Sequence, residues 1–276
     1  GDTILGADDK AGVAEIMTMA ERVLTEQIPH GPISIGFTPD EEVGRGADHF
    51  DIEKFDADFA YTMDGDTEGE IQYENFNAAD AIFEIQGVNV HPGSAKDVMV
   101  NAALVAMEIN AALPCGETPA DTEDYEGFYH LVSMSGDVAC AKLHYIVRDH
   151  DADKFAARLE TLKEISKQMN LKWGFGTVKL TIDEQYRNMA EIIEDGNMHL
   201  IENAKKACAA ADVTPLILPI RGGTDGARLS FMGLPCPNLG TGGHGYHGPF
   251  EHITAEGMDK AVDVMIELVK LYAEMK

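Results

Sequence analysis

The segment LGADDKAG, residues 5–12, indicates the fold class of this chain, because an apolar stretch over 3–7 ends there in two carboxylates. Residues 10–25 follow with a helical period, and their predicted buried face carries Val13, Ile16, Met17, Ala20, Val23 and Leu24. An apolar stretch followed by a helix is the repeating unit of α/β folds. We therefore predict an α/β chain whose polar residues collect where strands end.

Strands and helices are also predicted before and after a middle segment, which has a different order of elements. Outside that segment we predict strands at 33–37, 59–63, 216–220 and 236–239, and helices at 196–211 and after Thr254. The middle segment predicts, in order, a strand at 79–87, a helix at 99–113, strands at 127–138 and 142–149, a helix at 151–170 and a strand at 177–186. This β-α-β-β-α-β order is typical of a ferredoxin-like domain. We predict one α/β domain with a largely parallel sheet over 1–76 and 187–276, interrupted by an inserted domain over 77–186.

Three predicted helices carry apolar faces that should be buried. For 99–113 the face is Val100, Ala103, Leu104 and Met107. For 151–170 it is Phe155, Leu159, Leu162, Ile165 and Met169. For the last helix it is Ala261, Met265, Leu268 and Tyr272.

Charge and cysteine content exclude several classes of protein. The 276 residues carry 21 Lys and Arg against 48 Asp and Glu, a net charge of −27. Phosphate backbones and anionic lipids are bound by basic surfaces, so we expect neither a nucleic-acid nor a membrane partner. The four cysteines form no CxxC pair, and we expect no secretory leader. Reduced thiols and a cytoplasmic location are the resulting expectation.

Polar residues follow the predicted strands at several points, and the carboxyl ends of strands are where open α/β sheets bind ligands. These residues lie in 8–9, 40–42, 64 and 221–225, and in a glycine-rich run with His244 and His247. Crowded carboxylates need a cation or shared protons, and carboxylates with histidine suit Zn²⁺. The adjacent pair Glu41-Glu42 suits one ligand and one base. The residues alone also allow simpler roles, namely a helix cap at 8–9, a turn at Asp64 and solvated charge at 41–42.

Six motifs occur in an order that resembles the M20 family of zinc aminopeptidases and carboxypeptidases. They are LGADDKAG (5–12), TPDEEVG (38–44), YTMDG (61–65), NVHPG (89–93), IRGGTDG (220–226) and YHG (246–248). The resemblance covers the whole chain. It implies a zinc-peptidase-like catalytic domain with a mixed sheet, and an inserted ferredoxin-like domain that serves as a lid or for dimerisation.

The resemblance also implies a role for each matching residue of a site with two zinc ions. Asp8 would bridge both ions, Glu42 and His247 would bind one, and Asp64 would bind the other. Glu41 would be the general base, and the peptide bond after Asp8 would be cis. The residues expected to bind the substrate carboxylate and the developing oxyanion are His91, Asn101, Arg148 and Arg221. His244 is not required by the family pattern, and we do not expect it to be a ligand.

The implied activity is metal-dependent hydrolysis of the N-terminal peptide bond of tripeptides. Small peptides would be the substrates, and a homodimer through the inserted domain is left open. Two alternatives remain, namely another M20 hydrolase, such as a dipeptidase or N-acyl amino acid deacylase, and a non-catalytic truncated module. Family members carry an upstream His-x-Asp motif that this sequence lacks. We therefore expect that the chain lacks its N-terminal part and is inactive alone.

Overall fold

The computed structural model describes residues 4–275 and divides the chain into two compact units. The first unit comprises Gly1–Asn75 and Met189–Lys276, and the second comprises Phe76–Asn188. The sequence predicts this second unit at 77–186, which starts one residue later and ends two residues earlier than the unit observed. Within the predicted apolar stretch 3–7, residue 3 lies outside the described residues, 4–6 are irregular, and a helix begins at Ala7.

Helices and strands of both units follow in chain order. The helices are α1 (Ala7–Thr25), α2 (Ile52–Phe55), α3 (Ala102–Ala111), α4 (Ala152–Trp173), α5 (Ala190–Glu194), α6 (Met198–Ala210), α7 (Asp225–Met232) and α8 (Ala255–Glu274). The strands are β1 (Thr62–Gly65), β2 (Glu70–Gln72), β3 (Asn77–Gln86), β4 (Phe128–Gly136), β5 (Cys140–Asp149), β6 (Val178–Tyr186), β7 (Leu216–Ile217), β8 (Asn238–Gly240), β9 (Gly243–His244) and β10 (His252–Ile253). Short 3₁₀ helices lie at Glu41–Val43, Gly46–His49 and Pro92–Ser94. The chain is therefore a mixed α/β protein.

The main sheet of the first unit is mixed, as the resemblance implies, and two of the three strand pairs described in it are parallel. Its strand order is β1-β8-β2-β7. The strand β8 runs parallel to β1 and antiparallel to β2, and β2 is parallel to β7. Only four residues, 66–69, join β1 to β2, and a connection this short cannot carry the chain back for a parallel crossover.

Helices α1, α6 and α8 contribute to the core of the first unit, together with Ile71 of β2 and Leu239 of β8. The predicted inner face of α8 is confirmed for Ala261, Met265 and Leu268, which are buried. Tyr272 is half-buried, and its hydroxyl lies 2.7 Å from that of Tyr61. The threonine at 254 caps this helix by accepting a hydrogen bond from Gly257 N at 3.0 Å.

The inner face of α1 differs from the predicted one. Val13, Met17 and Leu24 are exposed. The buried positions are Ala7, Ala11, Gly12, Glu15, Met19 and Val23. Most of these positions are four residues apart and lie on a different face of the helix from the predicted one. Because α1 has apolar residues on more than one side, the helical period alone does not show which face is buried.

Residues 33–37 are not a strand, contrary to the prediction. Ile33 and Ile35 are 41% and 40% exposed. They line a cavity of about 730 Å³ in the first unit, together with Thr62 and Met63 of β1. Alternating apolar residues form a strand only where a neighbouring strand completes the backbone hydrogen bonds, and no described strand pairs with this segment.

The second unit has a four-stranded sheet with the order β4-β5-β3-β6, and every neighbouring pair is antiparallel. Helices α3 and α4 contact this sheet and each other, so the elements run β-α-β-β-α-β. The two ends of the unit meet, because Asn188 N donates a hydrogen bond to Asn77 Oδ1 at 3.0 Å.

The predicted inner face is right for α4 and wrong for α3. All five predicted residues of α4 are buried. In α3, however, Leu104 and Met107 are 55% and 58% exposed. The buried residues of α3 are Ala102, Val105, Ala106 and Ile109.

Among residues 4–275, no helix combines the length and apolar character that crossing a membrane requires.

Glu15 of α1 is a buried acid, 1% exposed, whose two carboxylate oxygens have no hydrogen-bond partner among the described residues. Burial, and to a smaller extent the charge of Asp9, raises its pKa from 4.5 to about 8. The folded state therefore binds this proton more tightly than the unfolded state does. The stability linked to this group is complete below pH 4.5 and is lost as the pH rises through about 8.

Glu15→Gln is expected to flatten the decline of the unfolding free energy over this pH range, since the amide stays neutral. Each unit of pKa difference corresponds to about 1.4 kcal/mol. Urea unfolding at several pH values measures the effect. Glu21→Gln, at an exposed position of the same helix, is the matched control and should keep the original slope. An unchanged slope in Glu15→Gln would contradict the assignment.

Candidate metal centre

Three predicted ligands of the first unit lie together. His247 Nε2 is 2.9 Å from Asp8 Oδ2 and 3.1 Å from Glu42 Oε2. One ligand atom from each of the three residues lies within 4.8 Å of the other two. They come from the start of α1, a 3₁₀ helix and the loop between β9 and β10. The three residues, which the sequence separates by up to 239 positions, therefore form one cluster.

Asp8 and its neighbour Asp9 have different local roles. The peptide bond between them is cis, as the resemblance implies, and both residues have non-helical backbone angles. Asp9 Oδ1 accepts a hydrogen bond from Gly12 N at 3.0 Å, so Asp9 caps the helix that follows. Asp8 instead directs its carboxylate to His247. The capping role that the sequence left open for this pair thus belongs to Asp9.

The carboxylates of this region raise one another's pKa values. Burial first, and then neighbouring charges, raise the pKa of Asp9 and of Glu41 to about 7 and that of Asp64 to about 8. Burial and the charge of Glu42 also raise the pKa of Asp8, although His247 lowers it. Burial works against protonation of His247, yet the charges of Glu42 and Asp8 raise its pKa. Crowding of these carboxylates therefore favours either retained protons or a bound cation.

Glu41 is adjacent to Glu42 but makes different contacts. The backbone N–H of Asp225, at the start of α7, favours the ionised form of Glu41 and lowers its pKa against the larger effect of burial. Asp225 is itself 4% exposed, and its Oδ1 accepts a hydrogen bond from Ala47 N at 3.1 Å. A Cβ atom at Gly46 would lie 1.8 Å from Asp225 Oδ2, so glycine is required there. Asp225 thus connects the segment after Glu41 to α7.

Asp64 lies on β1 and is half-buried. Burial is the main cause of its raised pKa, followed by the charges of Glu41, Asp9 and Asp8. It therefore belongs to the same electrostatic cluster, although it is not part of the group of three ligand atoms.

The residues present fit a divalent cation. Two carboxylates and an imidazole offer oxygen and nitrogen atoms within ligand-sharing distance, which is a donor set that Zn²⁺ accepts. The raised pKa values of Asp8, Asp9, Glu41 and Asp64 mark a region that a positive charge would stabilise.

The four predicted substrate-binding residues lie in both units. Arg221 of the first unit is exposed and follows Ile220, which forms a parallel bridge with Asn75. In the second unit, His91 Nδ1 accepts a hydrogen bond from Gly93 N at 3.1 Å, and Asn101 caps α3 by accepting one from Leu104 N at 3.3 Å. The guanidinium of Arg148 lies 5.3 Å from the ring centre of Tyr186.

His244, which was not expected to be a ligand, lies outside the cluster of three. Its Nδ1 is 3.4 Å from Thr67 Oγ1, and its ring centre is 5.2 Å from that of His252.

Two residues near the centre, Glu251 and Asp225, have contacts that the sequence does not predict. Glu251 accepts hydrogen bonds from the backbone of Gly6 and Asp8, and no local pattern signals a contact across more than 240 positions. Asp225 belongs to the 221–225 segment that was singled out, but it was given no role. The stronger signal for it was its place directly after a capping threonine, Thr224.

Comparison with known proteins gives consistent similarities. The sequence pattern of Peptidase family M20/M25/M40 matches residues 6–271. Peptidase T of Clostridium perfringens strain ATCC 13124 is 56% identical over 275 residues, which are 99% of this chain and 68% of that protein. Peptidase T of Clostridium novyi is 54% identical over 99% of this chain and 67% of its own length. The crystal structure of aminopeptidase PepT from Bacillus cereus ATCC 10987 superposes with a TM-score of 0.87 at 27% identity, covering 99% of this chain and 73% of that one. The chain thus spans about two thirds of the length of these curated relatives.

Proposed function

Because the chain belongs to Peptidase family M20/M25/M40, we propose that it hydrolyses the N-terminal peptide bond of tripeptides at a two-zinc site with Glu41 as general base. Family membership makes the protein a metallopeptidase that acts on peptides. The choice of tripeptides is supported by the 56% identity to a relative named peptidase T. The observation that carries the proposal is the convergence of Asp8, Glu42 and His247.

The metal ligands follow from this cluster. Asp8, Glu42 and His247 would hold one zinc ion, and Asp64 with a shared Asp8 would hold the second. Zinc supplies Lewis acidity, which lowers the pKa of water and polarises a carbonyl group. The mutual repulsion of the carboxylates supports this assignment, since a bound cation relieves it without the carboxylates having to retain protons.

Glu41 is suited to proton transfer because its pKa of about 7 lies near neutral pH. The carboxylate takes a proton from the attacking water and returns it to the leaving amine. Its neighbour Glu42 points to His247 instead, which supports the division into one base and one ligand.

We propose that His91, Asn101, Arg148 and Arg221 bind the substrate carboxylate and the oxyanion that develops during hydrolysis. Arginine suits this task because its planar group donates paired hydrogen bonds to carboxylates.

The second unit is proposed as a ferredoxin-like lid or dimerisation domain, which its strand order β4-β5-β3-β6 supports. Its use in a homodimer stays a prediction. A cytoplasmic location is supported by four free cysteines.

The proposal predicts a substrate preference that a direct assay tests. The purified protein, loaded with Zn²⁺, is expected to release the N-terminal residue of tripeptides with a higher kcat/KM than it shows for dipeptides or N-acyl amino acids. Product analysis by mass spectrometry identifies the bond that is cleaved. A preference for dipeptides or N-acyl amino acids would favour another M20 hydrolase. Zinc binding without turnover would favour a non-catalytic module. Nothing in the comparisons supports the earlier expectation that the chain is inactive.

A further inference from the structure

We propose that Glu251 is a positioning residue that holds the backbone around Asp8, so that the Asp8 carboxylate stays directed at the metal centre. This inference rests on the proposed metal site and assigns Glu251 no metal ion and no substrate of its own. It extends the site from its ligands to the group that fixes one of them.

The geometry is that of a two-pronged acceptor. Glu251 Oε2 accepts a hydrogen bond from Gly6 N at 2.7 Å, and Oε1 accepts one from Asp8 N at 3.1 Å. Glu251 is only 9% exposed, so water competes little for these bonds. Both oxygens of one carboxylate therefore hold the backbone on either side of Ala7, immediately before the Asp8 side chain.

The segment before Asp9 needs such an acceptor, because Asp8 has non-helical backbone angles and the helix that Asp9 caps begins after it. A backbone N–H group outside a regular helix or strand has no partner from a helix or a sheet, so another group must accept from it where water is excluded. Gly6, which has a φ of 70°, has no side chain that could accept from these groups. Glu251 takes over that role from 243 positions further along the chain.

A charged acceptor fits this position better than a neutral one. Hydrogen bonds to a carboxylate are stronger than those to a neutral oxygen. Although burial opposes ionisation, the backbone N–H groups of residues 5–8 lower the pKa of Glu251. The same charge raises the pKa of Asp8, so its presence works against the crowded centre.

One hairpin carries both Glu251 and the ligand His247. The strands β9 and β10 pair antiparallel, His252 opposite His244, and the connection between them contains both residues. The hairpin therefore supplies His247 directly and fixes Asp8 through Glu251. This arrangement explains how two side chains from distant parts of the sequence come to lie 2.9 Å apart.

The test compares Glu251→Gln with the unchanged protein in a competition titration of Zn²⁺ against a chelator. The amide keeps the size of the side chain but presents an NH₂ group to one of the two backbone donors. We expect zinc affinity to fall by about 10–100-fold, as is usual when a partner of a metal ligand is removed. Glu256→Gln, at an exposed position in the first turn of α8, is the matched control and should bind zinc as before.

A second measurement needs neither metal nor mutation. Amide hydrogen exchange of Gly6 and Asp8 in the metal-free, unchanged protein should be slowed, because Glu251 accepts from both groups. Exchange at unprotected rates would overturn the proposal. So would a lowered melting temperature in Glu251→Gln with unchanged zinc affinity, which indicates a purely structural role. If the proposed function itself is wrong, the unchanged protein will fail to bind zinc, which is a distinct result.

Discussion

Glu41→Gln is expected to lower kcat for tripeptide hydrolysis by about 10²–10⁴-fold, the range typical for loss of a general base. The amide cannot take a proton from water, but it keeps the length of the side chain. We therefore expect KM and zinc content to stay those of the unchanged protein. Steady-state kinetics and metal analysis on the same preparation measure both quantities.

The matched control for Glu41 is the preceding residue. Asp40 is exposed and has a φ of 61°, a conformation that asparagine also tolerates. Asp40→Asn removes one negative charge beside the centre and should leave kcat nearly unchanged. If Glu41→Gln kept a kcat similar to that of Asp40→Asn, Glu41 would not be the base.

Asp8→Asn is expected to lower zinc affinity by more than about 100-fold, because loss of a mere partner of a ligand already costs about 10–100-fold. In the proposed site this carboxylate is shared by both ions, so both metal equivalents should weaken together. Its Oδ2 lies 2.9 Å from His247 Nε2, and no other described group joins Glu42 and His247 in a three-ligand cluster. Isothermal titration with Zn²⁺ gives affinity and stoichiometry.

Asp9→Asn tests whether any loss of negative charge at this point has the same effect. Asp9 caps α1 through Gly12 N, and asparagine is an equally good cap. The variant should therefore fold normally and keep a zinc affinity far closer to that of the unchanged protein than Asp8→Asn does, because Asp9 contributes charge but no ligand atom to the cluster of three. Two equivalents bound tightly by Asp8→Asn, or equal losses in both variants, would contradict the bridging role of Asp8.

The sequence predicts helix faces well only where polar and apolar residues are separated. In α4, lysines and glutamates occupy the outer positions, and all five predicted inner residues are buried. In α3 most residues are apolar, so several stripes satisfy the same period and the wrong one was chosen. The strand prediction for residues 33–37 was wrong for another reason. Alternation of apolar and polar residues predicts a strand, but it does not show that a partner strand is present.

In the metal centre, too, the features that depend on local sequence could be predicted, and the contacts between distant parts of the sequence could not. Asp8, Glu42 and His247 could be predicted because each follows an apolar stretch or lies in a motif. The contacts of Glu251 and Asp225 could not, since both depend on backbone N–H groups, which every residue except proline carries. The identity of the side chains therefore predicted the metal ligands, but it did not predict the residues that bind the backbone next to those ligands.

The hydrogen bond that joins the two ends of the second unit has a consequence for the folding of the protein. Asp8 and Glu42 precede that unit in the chain and His247 follows it, so 113 residues from Phe76 to Asn188 separate the two parts of the metal centre. Joining the ends of a disordered loop of this length has an entropic cost that grows with its length. Once the second unit folds, the bond from Asn188 to Asn77 holds its ends together, and that cost is already met. Early folding of the inserted unit would thus speed assembly of the centre, although none of the clustered ligands belongs to it.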